Sequence, residues 1–306
     1  NKINMISIII PVYKNKEEFL KNLDQNKRFF SGCEVIIVND DPQSNIKKEV
    51  EKIYPKIVYI QNSKNLGFGQ AVNEGVKKSH FPYIFLLNSD VLLLDKKFKD
   101  ITYLFKKDPQ LFAVSFIQKE KDNHLTGKNT IFWKKGMFFH QKASNLNRGI
   151  NAWAEGGAAI FDKEKFKILK GFDPLYQPFY WEDIDLSYRA WKMGWKINFS
   201  PRIKLIHHHG TTINKYFNTL KIKSINYRNQ IIFILKNITD KKLFKEFILF
   251  LPYWIFYFLI KGESGFFLGF INAIIKIKAI WQKRKLNTKV FKKTDQEVLG
   301  LFEKYE

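Results

Sequence analysis

The sequence contains a single cysteine, Cys33, in 306 residues. That excludes an intrachain disulfide framework and a thiolate zinc cluster, and it predicts a reducing compartment. Acidic residues are scarce: 29 Asp and Glu stand against 52 Lys and Arg, a formal net charge of +23. Such an excess implies a polyanionic environment, whether nucleic acid, an anionic membrane face or phosphorylated substrates. No uninterrupted apolar run reaches the ~20 residues that a membrane-spanning helix needs. The apolar run at 247–260 (FILFLPYWIFYFLI) is shorter and carries Pro252. There is no repeat of fixed period, and residues 1–4 lead directly into a strand-like segment, which predicts no signal peptide. Against these absences, 45% of the residues are hydrophobic. That is enough to bury a sizeable core, so disorder is excluded as the main state.

Residues 5–12 (MISIIIPV), 34–38 (EVIIV), 57–61 and 83–87 (YIFLL) read as strands, with helical spacing between them at 16–28 and 70–78. The first is apolar with almost no alternation, as expected of a parallel strand covered on both faces. Strand and helix alternating in this way predict an α/β fold with a doubly wound, mostly parallel sheet and right-handed crossovers. Ligands bind beyond the C-terminal ends of such strands. Those ends carry Pro11-Val12-Tyr13, Asn39-Asp40-Asp41 and Asn88-Ser89-Asp90. A single Asp there is explained by turn formation; two acidic ends on one rim point to a ligand or a metal. Residues 112–150 read as less regular, with a polar loop at 119–130. Strands follow at 195–199 and 203–206, the latter running into His207-His208-His209.

The strongest chemical signal is Trp181-Glu182-Asp183-Ile184-Asp185. Three carboxylates at the start of a predicted helix repel one another, and the helix dipole offsets only part of that. An aspartate in an aromatic-walled cleft suits a general base, because desolvation raises its pKa. Neutral imidazole from the triple histidine suits a borderline divalent metal. Asn65-Leu66-Gly67-Phe68-Gly69 before a helix is a weak phosphate-loop signal, matching neither the dinucleotide fingerprint nor the Walker spacing.

The ordered segments SIIIPVYKN, VIIVNDDP, NLGFGQAVNEG, FLLNSDV, GGAAIF, GFDPLYQPFYWEDIDLSYRAWKMGW and LIHHHG resemble glycosyltransferase family 2 over residues 5–235. These are inverting enzymes of the GT-A fold, and the likeness is greatest to rhamnosyltransferase-type members of bacterial surface-polysaccharide synthesis. The resemblance implies transfer from a nucleotide-diphosphate sugar to a glycan or polyprenyl-diphosphate-linked acceptor. It implies that Pro11, Val12, Tyr13, Asn39, Asp40, Asn65, Gly67, Asn88 and Ser89 bind the nucleotide sugar. Asp90 and His207 would hold Mg²⁺ or Mn²⁺, Asp183 with Glu182 would supply the base, and Gly156, Gly157, Trp181 and Asp185 would meet the acceptor. Asn88 stands where the family's metal motif often has Asp, which lowers the charge available to a hard cation. Asp40 and Asp41 remain alternatives for the acidic residue that faces the nucleotide.

A change of character from about Lys215 divides the chain into an expected catalytic domain at 1–214, with a nucleotide half to about 110 and an acceptor half at about 111–214, and a helical region at 215–306. The basic and aromatic composition of the latter reads as interfacial helices on an anionic membrane. The corresponding location is peripheral, on the cytoplasmic face of a bacterial membrane. A basic nucleic-acid binder is disfavoured, because the aromatics lie in apolar blocks and are not interleaved with Arg. A catalytically inactive scaffold of the same fold is the other alternative. The intact Asp90, Asp183 and His207 argue against it.

Overall fold

The computed structural model describes residues 5–120, 122–207 and 215–303. The first part alternates as β1 (Ile6–Val12), α1 (Lys16–Asn26), β2 (Glu34–Asn39), α2 (Lys47–Ile53), β3 (Val58–Gln61), α3 (Phe68–Lys78) and β4 (Tyr83–Leu87). Next come β5 (Val91–Leu93), α4 (Thr102–Lys107), β6 (Leu111–Lys119), β7 (Leu125–Thr126), β8 (Asn129–Lys134), β9 (Met137–Lys142) and β10 (Gly149–Ile150). Then follow β11 (Ala158–Asp162), α5 (Lys163–Ile168), α6 (Glu182–Lys192) and β12 (Lys196–His207). The remaining helices are α7 (Thr219–Asn237), α8 (Lys241–Ile260), α9 (Ser264–Ile275), α10 (Ile277–Thr288) and α11 (Asp295–Gly300).

One sheet runs in the order β10-β12-β6-β11-β4-β1-β2-β3, with β5 paired to β12 and β7 to β6. The neighbours β1/β2, β1/β4, β2/β3 and β6/β12 are parallel, and β11 is antiparallel to both β4 and β6. Both faces are covered, which explains the missing alternation in β1. Ile9, Ile36, Val38, Ile84 and Leu86 enter one core layer, while Ile8, Ile10, Val35, Ile37 and Phe85 enter the other. The expected α/β class is the one observed. The third strand is a half-exposed edge strand.

Three local expectations change. Residues 129–142 are an ordered hairpin, β8–β9, and not an irregular stretch. Its two-residue turn, Lys135-Gly136, has φ of 48° and 72°, the left-handed pair that matches strand twist. Lys in the first turn position hides that signal. The two strands expected at 195–199 and 203–206 are one strand, β12, with a register irregularity between Ser200 and Lys204. Finally, α8 extends beyond the apolar run, to 20 residues, by starting in the Lys-rich segment at 241. Among the described residues it is the one single helix long and apolar enough to cross a membrane, and α9 with α10 pass the same test as a pair bent by 68°.

Helix α7 packs onto the body that carries the sheet. Asn229, Lys236 and Asn237 on it are fully buried against the segment that leads into α6 and against α6 itself.

Candidate active site

A cleft of about 940 Å³ opens beyond the C-terminal ends of β1, β2 and β4. Pro11, Val12 and Tyr13 reach it from β1, Asp40 from β2, and Asn88, Ser89 and Asp90 from the end of β4. Asn65 and Gly67 come from the turn before α3, and Gly156 and Gly157 from the turn before β11. Trp181, Glu182 and Asp183 enter at the start of α6, and His207 at the end of β12.

At the β2 end of the cleft, Asp40 acts on backbone. Its carboxylate accepts from the amides of Leu66 (2.9 Å) and Gly67 (2.8 Å) and from Asn62 Nδ2 (2.7 Å). It thereby pins the turn that enters α3. Gly67 has φ +76°, and a Cβ there would stand 3.0 Å from the Pro178 carbonyl oxygen, so only glycine lets this turn close. Asp41 instead bonds the amide of Gln43 (3.0 Å), which settles which of the two aspartates lines the cleft.

Asp90 and His207 meet because β5, which follows Asp90 directly, pairs with the end of β12, setting Val91 opposite His207. His207 Nε2 lies 3.3 Å from Asp90 Oδ1 and 3.5 Å from Asn88 Nδ2. Its other ring nitrogen, Nδ1, is 2.5 Å from Gln118 Oε1. An acceptor on that side makes Nδ1 the protonated nitrogen of the neutral ring. The Nε2 lone pair then faces a carboxylate, an arrangement suited to a cation between them. Among the described residues no group of three or more His, Cys, Asp or Glu could hold a metal alone. Asp90 and His207, with Asn88 beside them, are a donor set that fits a divalent ion only where groups from outside the chain complete its shell. Gly157 keeps Asn88 in this group: a Cβ at 157 would come within 2.2 Å of the Asn88 side chain.

At the opposite wall, Tyr180 and Trp181 both adopt left-handed backbone, φ 70° and 74°, immediately before α6. Strain of this kind persists only where surroundings over-determine it. Here Asn229 Nδ2 donates to the carbonyls of Phe179 (3.0 Å) and Tyr180 (2.8 Å), and Trp181 Nε1 donates to Asn226 Oδ1 (2.7 Å). The kink aims the first turn of α6 into the cleft. Asp183 Oδ1 accepts from the amide of Ile184 (2.8 Å) and Oδ2 from that of Gly156 (3.4 Å). Burial, then the negative charge of Glu155, pushes the Asp183 carboxyl up to about 6. Glu182 is more enclosed. Burial, then Asp183, raises its carboxyl well above the usual range, and its Oε2 has no hydrogen-bond partner among the described residues.

Two sequence-derived assignments are corrected. Asn39 does not reach the cleft: it is buried, and its amide bonds Tyr59 Oη (3.1 Å), Gln61 Oε1 (2.9 Å) and the Ser44 carbonyl. It organises the turn after β2. Asp185 cannot meet an acceptor, because it is fully buried on the far side of α6. It accepts from Tyr176 Oη (2.9 Å), Arg189 Nε (2.8 Å), Lys236 Nζ (2.6 Å) and Asn237 Nδ2 (2.7 Å). Burial alone would raise its carboxyl, but Arg189 and Lys236 outweigh that and hold it below the ordinary range. His208 and His209 lie outside the described residues.

Glu155, His140, Lys142 and Asn226 are among the cleft residues that the sequence did not single out. His140 packs edge-on against Trp153 and Trp181, with centroids 5.2 and 5.0 Å away. Burial, helped by Lys142, lowers it to about 4, so the ring is neutral. It sits on β9, in the segment read as irregular, where no pattern marked it. Glu155 did leave a signal, as a lone acid in the small, apolar run NAWAEGGAAIF.

Residues 7–169 match the family model described as glycosyl transferase family 2. Poly-beta-1,6-N-acetyl-D-glucosamine synthase of Staphylococcus epidermidis is 23% identical over 206 residues, covering 66% of this chain and 49% of that protein. The synthase of the same name from Staphylococcus aureus is 24% identical over 208 residues, with the same shares. The chain thus spans about half the length of the curated relatives it matches. The solved structure of GalNAc-T7 with UDP, GalNAc and Mn²⁺ aligns with a TM-score of 0.59 at 14% identity, covering 78% of this chain and 48% of that one. Mannosyltransferase PcManGT from Pyrobaculum calidifontis, in complex with GDP-Man and Mn²⁺, aligns at 0.53 with 14% identity, covering 98% and 81%. TarS of S. aureus in complex with UDP aligns at 0.51 with 16% identity, covering 79% and 70%. At these identities the structural likenesses show the fold.

Proposed function

The chain belongs to glycosyl transferase family 2, and from that premise we propose that it moves a hexosyl or rhamnosyl unit from a nucleotide-diphosphate sugar to a glycan hydroxyl, with inversion, in surface-polysaccharide synthesis. The observation that carries this reading is the convergence of Asp183 with Asp90 and His207 on one cleft. The names of the curated relatives and the nucleotides in the solved neighbours support the donor class and the polysaccharide context.

In this mechanism Pro11, Val12, Tyr13 and the turn pinned by Asp40 hold the nucleoside. Asp90 and His207, with Asn88 beside them, would hold Mg²⁺ or Mn²⁺. When bound, that ion neutralises the charge growing on the diphosphate leaving group. The acceptor hydroxyl loses its proton to Asp183 as it attacks the anomeric carbon from the face opposite the diphosphate. Burial, then the neighbouring Asp183, favours the protonated form of Glu182, which would leave the negative charge of the pair on Asp183. Incubating the protein with a panel of UDP, dTDP and GDP sugars, Mn²⁺ and a carbohydrate acceptor tests the reading. One donor is expected to release its nucleoside diphosphate together with an inverted glycoside. Release from no donor, or a retained anomer, contradicts it.

The acceptor side of the reading adds a lipid surface. Only 11% of the apolar window of α8 is buried, which is not how a core helix behaves. Leu249, Phe256, Leu259 and Ile260 on α8, with Ile271 and Ile275 on α9, stand exposed. Exposed apolar area on this scale marks an interaction face, and the surplus of positive charge selects an anionic bilayer. The proposal is a peripheral location at the cytoplasmic membrane face, where a polyprenyl-diphosphate-linked acceptor is within reach. The protein is expected to float with phosphatidylglycerol vesicles at moderate salt, and a Phe256→Asp, Leu259→Asp variant to remain at the bottom. A wild type that does not float, or that self-associates through this face instead, contradicts the membrane reading.

A further inference from the structure

Glu155 lies within the cleft wall, 7% exposed, with each carboxylate oxygen engaged. Oε1 accepts from Lys142 Nζ (2.6 Å) and Asn129 Nδ2 (3.2 Å), and Oε2 accepts from Gln118 Nε2. Gln118 is fully buried on β6. An amide beside a carboxylate must turn its NH₂ toward it, so the Gln118 oxygen is forced to the other side. There it stands 2.5 Å from His207 Nδ1. The order carboxylate, amide, imidazole then fixes the tautomer: Nδ1 carries the hydrogen and Nε2 presents its lone pair to Asp90. The Asn88 amide nitrogen, 3.5 Å from Nε2, agrees with that tautomer. The residue after Glu155, Gly156, donates its amide to Asp183.

We propose that Glu155 is a positioning residue which, through Gln118, locks His207 with its Nε2 lone pair turned toward Asp90, and so readies the cleft for a divalent cation. This rests on the glycosyltransferase reading for its purpose, but not for its chemistry. Partners of this kind orient a ligating histidine and raise its basicity, and losing one typically costs about 10–100-fold in metal affinity.

The test is ¹⁵N NMR of histidine-labelled full-length protein at pH 8.5, with the His207 signals assigned by a His207→Gln variant. Wild-type His207 is expected to show protonated Nδ1 and bare Nε2. Gln118→Met, which keeps length and apolar bulk, is expected to lose that preference. Glu155→Gln lets the two amides pair in either sense and is expected to weaken it. Titrating Mn²⁺ alone, read by paramagnetic broadening of the His207 signals, is expected to need about 10–100-fold more metal in Gln118→Met. Bare Nδ1 in the wild type overturns the inference. So does an unchanged tautomer in both variants, each shown folded by circular dichroism. Failure of every sugar donor, with the tautomer as expected, would instead count against the glycosyltransferase reading and leave this positioning role standing.

Discussion

Asp183→Asn is expected to lower sugar transfer by about 10²–10⁴-fold, the usual worth of a general base, while nucleotide-sugar binding stays at the wild-type level. The asparagine is isosteric, and its oxygen can still accept from the amide of Ile184, as Asp183 Oδ1 does at 2.8 Å. What it cannot do is take a proton from the acceptor hydroxyl. The same carboxyl sets the pH dependence. Burial and the charge of Glu155 push it up to about 6, and only the ionised form acts as a base. The wild-type kcat/KM is therefore expected to fall about tenfold per pH unit below that value. The residual rate of Asp183→Asn should lack this limb. Initial rates across pH 4.5–8.5 and a binding isotherm for the donor measure both. A variant that transfers at the wild-type rate refutes the assignment. A variant that no longer binds the donor moves Asp183 to a binding role.

Asp185→Ala is expected to destabilise the fold by about 3–5 kcal/mol, the cost of removing one partner from a buried ion pair. The size follows from what is left behind. Arg189 and Lys236 are both buried, and each loses its contact with a carboxylate 2.6–2.8 Å away. Lys236 retains Asp173 at 2.9 Å, while Arg189 retains the neutral carbonyls of Leu169 and Gly171. Tyr176 Oη and Asn237 Nδ2 lose an acceptor as well. Asp185→Asn keeps one acceptor oxygen and is expected to cost less. Urea unfolding measures both. Per folded molecule, donor and acceptor affinities are expected to be unchanged, because this side chain is walled off from the cleft. A fully stable Asp185→Ala that binds acceptor poorly would restore the acceptor role implied by the family resemblance.

Asp183 and Asp185 show how far the sequence could be read. Their spacing of two puts them on different faces of a helix, yet both carry the same charge in the same motif. Only the packing of α7 across the back of α6 separates the one that lines the cleft from the one that holds the fold. Asn39 and Asp40 present the same difficulty at a strand end, where adjacent side chains point to opposite faces. The strand ends themselves were legible, because an apolar run stopped by Asn or Asp is a local pattern. Gln118 and His140 were not, and Glu155 was marked only as a lone acid in a small, apolar run. His140 and Glu155 reach the cleft from β9 and the turn before β11, Gln118 lies buried behind them on β6, and the pairing that joins these segments is long-range. The hairpin β8–β9 was hidden further by a lysine in its turn. Helix α8 outruns its apolar stretch because a helix continues through charged residues, here Lys241, Lys242, Lys245 and Glu246.

The buried links between α7 and α6 also bear on the division of the chain. A break near 214 would remove Asn226 and Asn229, which hold Trp181 and the carbonyl of Tyr180 in place. Asp183 would then lose the kink that aims it into the cleft. The helices beyond α7 carry the exposed apolar face and are the part suited to a lipid surface.

The most direct test is a crystal structure of Asp183→Asn with Mn²⁺ and the nucleotide sugar that the donor panel selects. The expected result is a diphosphate sharing its metal with Asp90 and His207, and a sugar whose free anomeric face is turned toward residue 183. A nucleotide seated elsewhere, or an anomeric carbon facing away from residue 183, would contradict the claim that these groups serve one transfer.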